Sequence, residues 1–172
     1  MGSLVTLQAP ASLADVPYQP GKLSVRKASM RDTNAILGLI NAYAAKGIML
    51  PRTEFEMSEN IRDFSVVFSG ERLVGCGALH FYSPSTAEIR SLAVDHNWKE
   101  HGVGRILMDA LEQEAREHGL QSIFAFTYVD RFFNKMGYQL VDRGDLPLKA
   151  WKDCLRCPKF QACDEIAVLK LL

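Results

Sequence analysis

The chain has 172 residues, 48% of them apolar, enough for one domain with a sizeable core. Twenty basic and twenty acidic residues cancel, and the aromatics do not interleave with Lys/Arg runs, so nothing in the charge pattern suits a nucleic acid. No apolar run reaches the length of a membrane span and nothing resembles a secretory signal, so a soluble, cytoplasmic protein with no membrane partner is expected.

Residues 1–22 carry Pro10, Pro17, Pro20 and Gly21 with little periodicity and read as a mobile arm, leaving 23–172 as the domain. Val25 begins a first strand. Ser29-Met30-Arg31-Asp32 reads as a capping box opening a helix with Ile36, Leu39, Ile40 and Tyr43 on one face, which ends at Lys46-Gly47. Thr53 to Glu56 is a second capping box, with a short helix through Arg62. Phe64 to Phe68 and Leu73 to Phe81 form a hairpin about Ser69-Gly70-Glu71-Arg72. Gly75 and Gly77 inside its second strand imply a bulge or a close backbone approach. Residues 87–94 read as a mostly buried strand. A helix follows with Val103, Ile106, Leu107, Ala110, Leu111 and Ala115 on one face, ended by Gly119. Then come a strand to Thr127, a short helix Asp130 to Met136 closed by Gly137, a strand Tyr138 to Val141, a helical turn Lys149 to Cys154, and a last strand Glu165 to Leu171.

Gly102 and Gly104 fall where a strand's loop turns into a helix. The unpaired N–H groups of a first helical turn, with the positive end of the helix dipole, make a cradle for phosphate or pyrophosphate. Neither the Gly-Lys-Ser/Thr ending of a P-loop nor a three-glycine dinucleotide fingerprint is present. Lys99-Glu100-His101-Gly102-Val103-Gly104 resembles instead the Arg/Gln-x-x-Gly-x-Gly/Ala signature of the GCN5-related N-acetyltransferases (GNAT), flanked by that family's usual strand and helix. The resemblance covers roughly residues 23–172. It implies a single α/β domain with a twisted, mixed, mostly antiparallel sheet and helices on both faces. Its fourth and fifth strands, here 87–94 and 122–127, would splay apart to admit the acyl-pantetheine arm of acetyl-coenzyme A.

By the same resemblance, the amides of Lys99, Glu100, His101, Gly102, Val103, Gly104 and Arg105 would hold the pyrophosphate. Lys99 keeps the charge of the usual Arg but not its planar fork. The backbone of Leu92, Ala93 and Val94 would polarise the thioester carbonyl. Acetyl transfer to an amine needs a neutral amine and a donor for the developing oxyanion, hence a general base. Glu88 is the candidate base; the alternative is a carboxylate at a strand start, facing solvent or pairing with Arg90. Many relatives carry a Tyr that protonates the leaving thiolate where this chain has Phe133, beside the cofactor. Tyr128 either substitutes for it or is a packed aromatic.

A more specific resemblance joins Gly47 to Thr53, Val74 to Leu79, Phe126-Thr127-Tyr128, Phe132-Phe133, Gly137-Tyr138 and the segment Leu146 to Ala167. Together they are similar to the acetyltransferase domain of bacterial N-acetylglutamate synthases, in its short single-domain form. The implied acceptor is L-glutamate, acetylated on its α-amino group in a ternary complex as the first step of arginine biosynthesis. Arg52 would grip a substrate carboxylate, with Arg90 or Arg131 as second cation. Long synthases carry an arginine-sensing kinase-like domain for which 172 residues leave no room. Any arginine feedback would then need a site on this domain or on a partner, or would be absent. Two other readings stay open: another small amine or a protein N-terminus as acceptor, or a regulator binding coenzyme A or arginine without catalysis. A homodimer is expected by analogy with the fold. Cys76 reads as a core residue. Cys154, Cys157 and Cys163 suit a metal, a redox pair or packed thiols, and with no fourth ligand evident no metal is assigned.

Overall fold

Seven strands form one mixed sheet in the order β1-β2-β3-β4-β5-β7-β6 in the computed structural model, which describes residues 21–146 and 154–172. They are β1 (Leu23–Lys27), β2 (Phe64–Ser69), β3 (Arg72–Phe81), β4 (Thr86–Val94), β5 (Ser122–Thr127), β6 (Gln139–Leu140) and β7 (Ile166–Leu171). The helices are α1 (Thr33–Ala44), α2 (Glu54–Asn60), α3 (Val103–Glu117) and α4 (Asp130–Lys135). Neighbouring strands run antiparallel except β4 and β5, which are parallel. Most of the arm expected over 1–22, and all but the last residue of the turn expected at 149–154, lie outside the described residues.

Both capping boxes form. Asp32 accepts from the Ser29 N–H at 2.7 Å and opens the 3-10 turn Met30–Asp32 that leads into α1. Thr53 and Glu56 bond reciprocally, at 2.9 and 3.2 Å, at the start of α2. Gly119 and Gly137, at φ +73° and +87°, close α3 and α4 in the left-handed region. The predicted second helix is shorter than expected, giving way at Ile61–Asp63 to a 3-10 turn. The predicted strand 138–141 is a strand only over Gln139–Leu140, with one further hydrogen bond to β7 from the Val141 N–H to Ala167 O at 3.0 Å.

On one face α1 and α2 lay Ile36, Leu39, Ile40 and Met57 on Val66, Cys76, Ala78 and Ala93. On the other, Val103 and Leu107 of α3 meet Val67 and Val74, while Met108, Leu111 and Ala115 meet Leu79, Ile89 and Ile123. Covered on both sides, β3 is buried from Leu73 to Leu79 and shows no apolar–polar alternation. Its glycines let α3 come close. A Cβ at Gly75 would stand 2.6 Å from Val103 Cγ1, and one at Gly77 3.2 Å from Leu111 Cδ1 of α3 and 2.9 Å from Leu92 Cδ1 of β4. Bulges flank both glycines: beside Gly75, β3 has Val74 as an extra residue against Val67 and Phe68 of β2, and opposite Gly77, β4 has both Ser91 and Leu92, with Ser91 at φ +53°. Glu112 on the buried side of α3 is met by Lys170 Nζ of β7 at 2.7 Å and by Arg116 at 3.5 Å.

Candidate active site

β4 and β5 pair only from Thr86↔Ser122 to Glu88↔Phe124. Beyond Glu88, β4 keeps β3 as neighbour through Val94, and β5 runs on against β7 through Thr127. A wedge therefore opens between them, edged by β4 backbone from Ile89 onward. Leu92, Ala93 and Val94 border it; Ala93 and Val94 pair with Cys76 and Gly75 on the far side. Tyr43 at the end of α1 donates to the Val94 carbonyl at 2.5 Å and ties that helix to the strand's end.

Glu88 stands at the vertex of the wedge. It is 7% exposed and accepts a hydrogen bond from Tyr82 Oη on Oε2 at 2.7 Å. His80 is its cross-strand neighbour on β3, and Arg90 follows on the same face of β4. His80 Nδ1 lies 2.7 Å from Asp63 Oδ2 and 3.1 Å from an Arg90 guanidinium nitrogen. Glu88 is therefore not a solvent-facing carboxylate, one of the two expected alternatives, and Tyr82 is one of its partners; Arg90, the other alternative, lies on the same face of β4.

At the open end of the wedge the loop between β4 and α3 is anchored from beneath. Asp95 takes Arg72 at 2.7 Å and the Asn97 N–H at 3.0 Å, and Trp98 is buried among Val67, Val74 and Leu107. The chain then surfaces: Lys99, Glu100, His101, Gly102 and Arg105 are exposed. Glu100 and Gly102 adopt φ +65° and +82°, and Gly102 caps α3 without a side chain. The first intrahelical bond runs from the Ile106 N–H to Gly102 O at 3.0 Å, so the helix itself offers no acceptor to the N–H groups of Val103, Gly104 and Arg105. A Cβ at Gly102 would meet nothing within 4 Å, leaving the approach open. Gly104 matters for packing instead. Its Cβ would lie 3.1 Å from the Phe132 ring, so the missing side chain seats α4 against α3. Lys99 Nζ sits over the Tyr43 ring at 5.2 Å. Val103 is buried against the sheet.

Phe133, expected beside the cofactor, is 3% exposed and packs among Tyr138, Ala125 and Met108. Its neighbour Phe132 is the residue that faces Gly104. Arg131 is exposed on α4. Tyr128 lies just past β5, with Lys159 Nζ 3.3 Å from its hydroxyl; burial pushes its phenol up, so it stays protonated at neutral pH.

Arg52 is half-buried before α2, its backbone clasped by the Asn41 amide in both directions at 3.0 Å. Arg156 reaches Glu56 at 2.5 Å from the C-terminal loop. The Arg156 guanidinium, the Thr53 amide and, at longer range, Arg52 hold the Glu56 carboxyl at about 2. Arg156 is the guanidinium in direct contact with Glu56. Sequence reasoning missed Arg156, Tyr82, His80 and Arg143; only Arg156 falls in a segment that carries the synthase resemblance and could have been singled out there. Arg143 bonds the Glu165 carbonyl and Cys163 Sγ, the latter at 3.0 Å. Among the described residues no three His, Cys, Asp or Glu side chains converge as a metal site would require. Cys76 is fully buried, which pushes its thiol up to about 12. No helix among the described residues is long and apolar enough to cross a membrane.

Residues 34–138 match the acetyltransferase (GNAT) family. The chain belongs to that family. As a GNAT acetyltransferase it takes its acetyl group from acetyl-coenzyme A. The GNAT chain is 42% identical over 148 residues to an uncharacterized N-acetyltransferase of Chlorobaculum tepidum, covering 86% of this chain and 96% of the relative. It is 36% identical over 121 residues to an amino-acid acetyltransferase of Mycobacterium tuberculosis, covering 69% of each. Among solved structures it resembles the N-acetylglutamate synthase of Neisseria gonorrhoeae complexed with coenzyme A and N-acetyl-glutamate, at TM-score 0.80 and 26% identity. That match covers 90% of this chain but only 36% of the synthase.

Proposed function

We propose that this GNAT chain transfers the acetyl group of acetyl-coenzyme A to the α-amino group of L-glutamate, giving N-acetylglutamate for arginine biosynthesis. The observation that carries the reading is a buried carboxylate, Glu88, at the point where the β4–β5 pairing ends. The amides of Gly102, Val103, Gly104 and Arg105 bind the pyrophosphate, with Lys99, Glu100 and His101 shaping the loop. The acyl-pantetheine arm enters the wedge, where Leu92, Ala93 and Val94 present backbone to the thioester.

The α-ammonium of the acceptor must lose its proton before it can attack, and Glu88 takes that proton directly or through water. The neutral amine then adds to the thioester carbon, and β4 N–H groups stabilise the oxyanion. Collapse of the intermediate expels the thiolate, for which the protonated Tyr128 hydroxyl is the candidate donor. Arg52 grips a substrate carboxylate. A dicarboxylate asks for a second cation, for which Arg90 and Arg131 are the candidates from the sequence, and Arg156, paired with Glu56 on the helix that follows Arg52, is a further one. The amino-acid acetyltransferase among the relatives favours an amino acid over a polyamine or a protein.

Thiol release from acetyl-coenzyme A across a panel of amino acids tests this. Glutamate is expected to exceed glutamine, glycine and lysine by at least about tenfold in kcat/KM, a difference of about 1.4 kcal/mol. Arg52→Ala is expected to raise the KM for glutamate by about 10- to 100-fold while sparing that for acetyl-coenzyme A, in line with loss of a charge-assisted hydrogen bond. Equal rates across the panel would refute the glutamate reading; an unchanged glutamate KM would remove Arg52.

A further inference from the structure

We propose that Tyr82 is a positioning residue for Glu88, fixing its rotamer at the wedge vertex and holding its carboxylate ionised, so that Tyr82 sets the lower pH limit of acetyl transfer. The inference rests on the reading of Glu88 as base. Tyr82 lies in the β3–β4 turn, outside every motif that marks the family loop. The turn is rigid: the N–H groups of Tyr82 and Ser83 both bond Thr86 O, at 3.0 and 3.2 Å, and the Gln121 N–H bonds Ser85 O at 2.8 Å. The Tyr82 ring is held between two others, edge-on to His80 at 5.1 Å and tilted against Phe124 at 5.6 Å. With ring and backbone both held, the hydroxyl is placed to donate to Glu88 Oε2, 2.7 Å away.

The surroundings make that hydrogen bond consequential. Glu88 is almost fully buried, and burial favours a neutral carboxyl that cannot accept a proton. On β5 its neighbour is the apolar Phe124, which offers no compensation. The charged or titratable groups on its face are His80 across on β3, with Asp63 behind it, and Arg90 two residues on along β4. His80 Nδ1 contacts both Asp63 and Arg90. Tyr82 supplies a direct, short hydroxyl bond to the carboxylate, and a hydrogen bond to the charged form lowers a carboxyl's pKa.

The test is the acid limb of log kcat/KM against pH, measured on the full chain with the acceptor selected by the amino-acid panel. Tyr82→Phe is expected to move the limb to higher pH by about one unit, with the KM for acetyl-coenzyme A unchanged within about twofold. A limb at the wild-type position would overturn the proposal and reduce Tyr82 to packing. Replacing Tyr82 by 3-fluorotyrosine keeps the ring and strengthens the donor, so the limb is expected to move to lower pH; an unmoved limb again overturns it. The fluorinated protein also serves if Tyr82→Phe fails to fold. Glu88→Gln, measured alongside, is expected to abolish the limb; if the limb persists, it is the base reading that fails. Independently of turnover, 13C NMR of the Glu88 carboxyl carbon, assigned by its loss in Glu88→Gln, should titrate higher in Tyr82→Phe than in wild type, and identical titrations would refute the pairing.

Discussion

Gly75→Ala tests how the sheet locates the start of α3, the end proposed to hold the pyrophosphate. The new methyl would stand 2.6 Å from Val103 Cγ1 and 3.0 Å from Leu107 Cδ1. Carbon atoms settle at about 3.5–4.0 Å, so the first contact is short by about 1 Å. Leu107 can swing its terminal methyl away. Val103 cannot, because a β-branched residue in a helix is confined to one χ1 well. The start of α3 must therefore retreat from β3. Overpacking of this kind costs about 1–3 kcal/mol, which for a chain of this size lowers Tm by about 2–12 °C. Val103 is also the first residue of α3, so the retreat carries the amides of Gly104 and Arg105 with it. The KM for acetyl-coenzyme A should rise by about tenfold, equivalent to about 1.4 kcal/mol. A double-mutant cycle isolates the cause. Val103→Ala removes the blocking methyl, so the double variant should be more stable than the sum of the single losses predicts, by about 0.5–3 kcal/mol. Urea denaturation supplies the four stabilities. Strict additivity, or a Gly75→Ala protein as stable as wild type, would refute the account.

Two further expectations concern charges away from the wedge. Lys170→Met removes the closer cation from the buried Glu112 and should cost about 3–5 kcal/mol, read as a large fall in Tm; a loss below about 1 kcal/mol would show that Arg116 alone suffices. Arg26 and Ser29 hold the Asp32 carboxyl at about 2, and Arg156 and Thr53 hold Glu56 at about 2. Both folded values are depressed, so their stabilisation is complete above the ordinary carboxylate range and is lost as pH falls from about 5 to about 2. In Arg156→Ala the fall in stability between pH 7 and pH 3, followed by circular dichroism in urea, should be smaller than in wild type; an equal fall would mean that the Arg156–Glu56 pair contributes nothing in solution.

Local signals were the legible ones. The capping boxes at Ser29 and Thr53 and the left-handed glycines at 119 and 137 depend on neighbours a few residues away, and all four are where the chain pattern puts them. The wedge followed from the family resemblance rather than from periodicity. The assignment of Phe133 to the cofactor side shows where one-dimensional reading stops. Adjacent residues on a helix point about 100° apart, and in a helix as short as α4 no apolar period decides which of Phe132 and Phe133 turns inward. Tyr82 was invisible for another reason: its partner lies across a turn, and the pairing depends on two rings holding it. Arg156 meets a residue 100 positions earlier, a contact that only the folded chain creates.

The strand order has a consequence for how the protein is made. β7 sits between β5 and β6 although it follows both in sequence. Until residue 171 has left the ribosome, β5 has an unsatisfied edge, and the β5 side of the wedge lacks the strand that backs it. A stalled or clipped chain would display β5 as a template for a foreign strand.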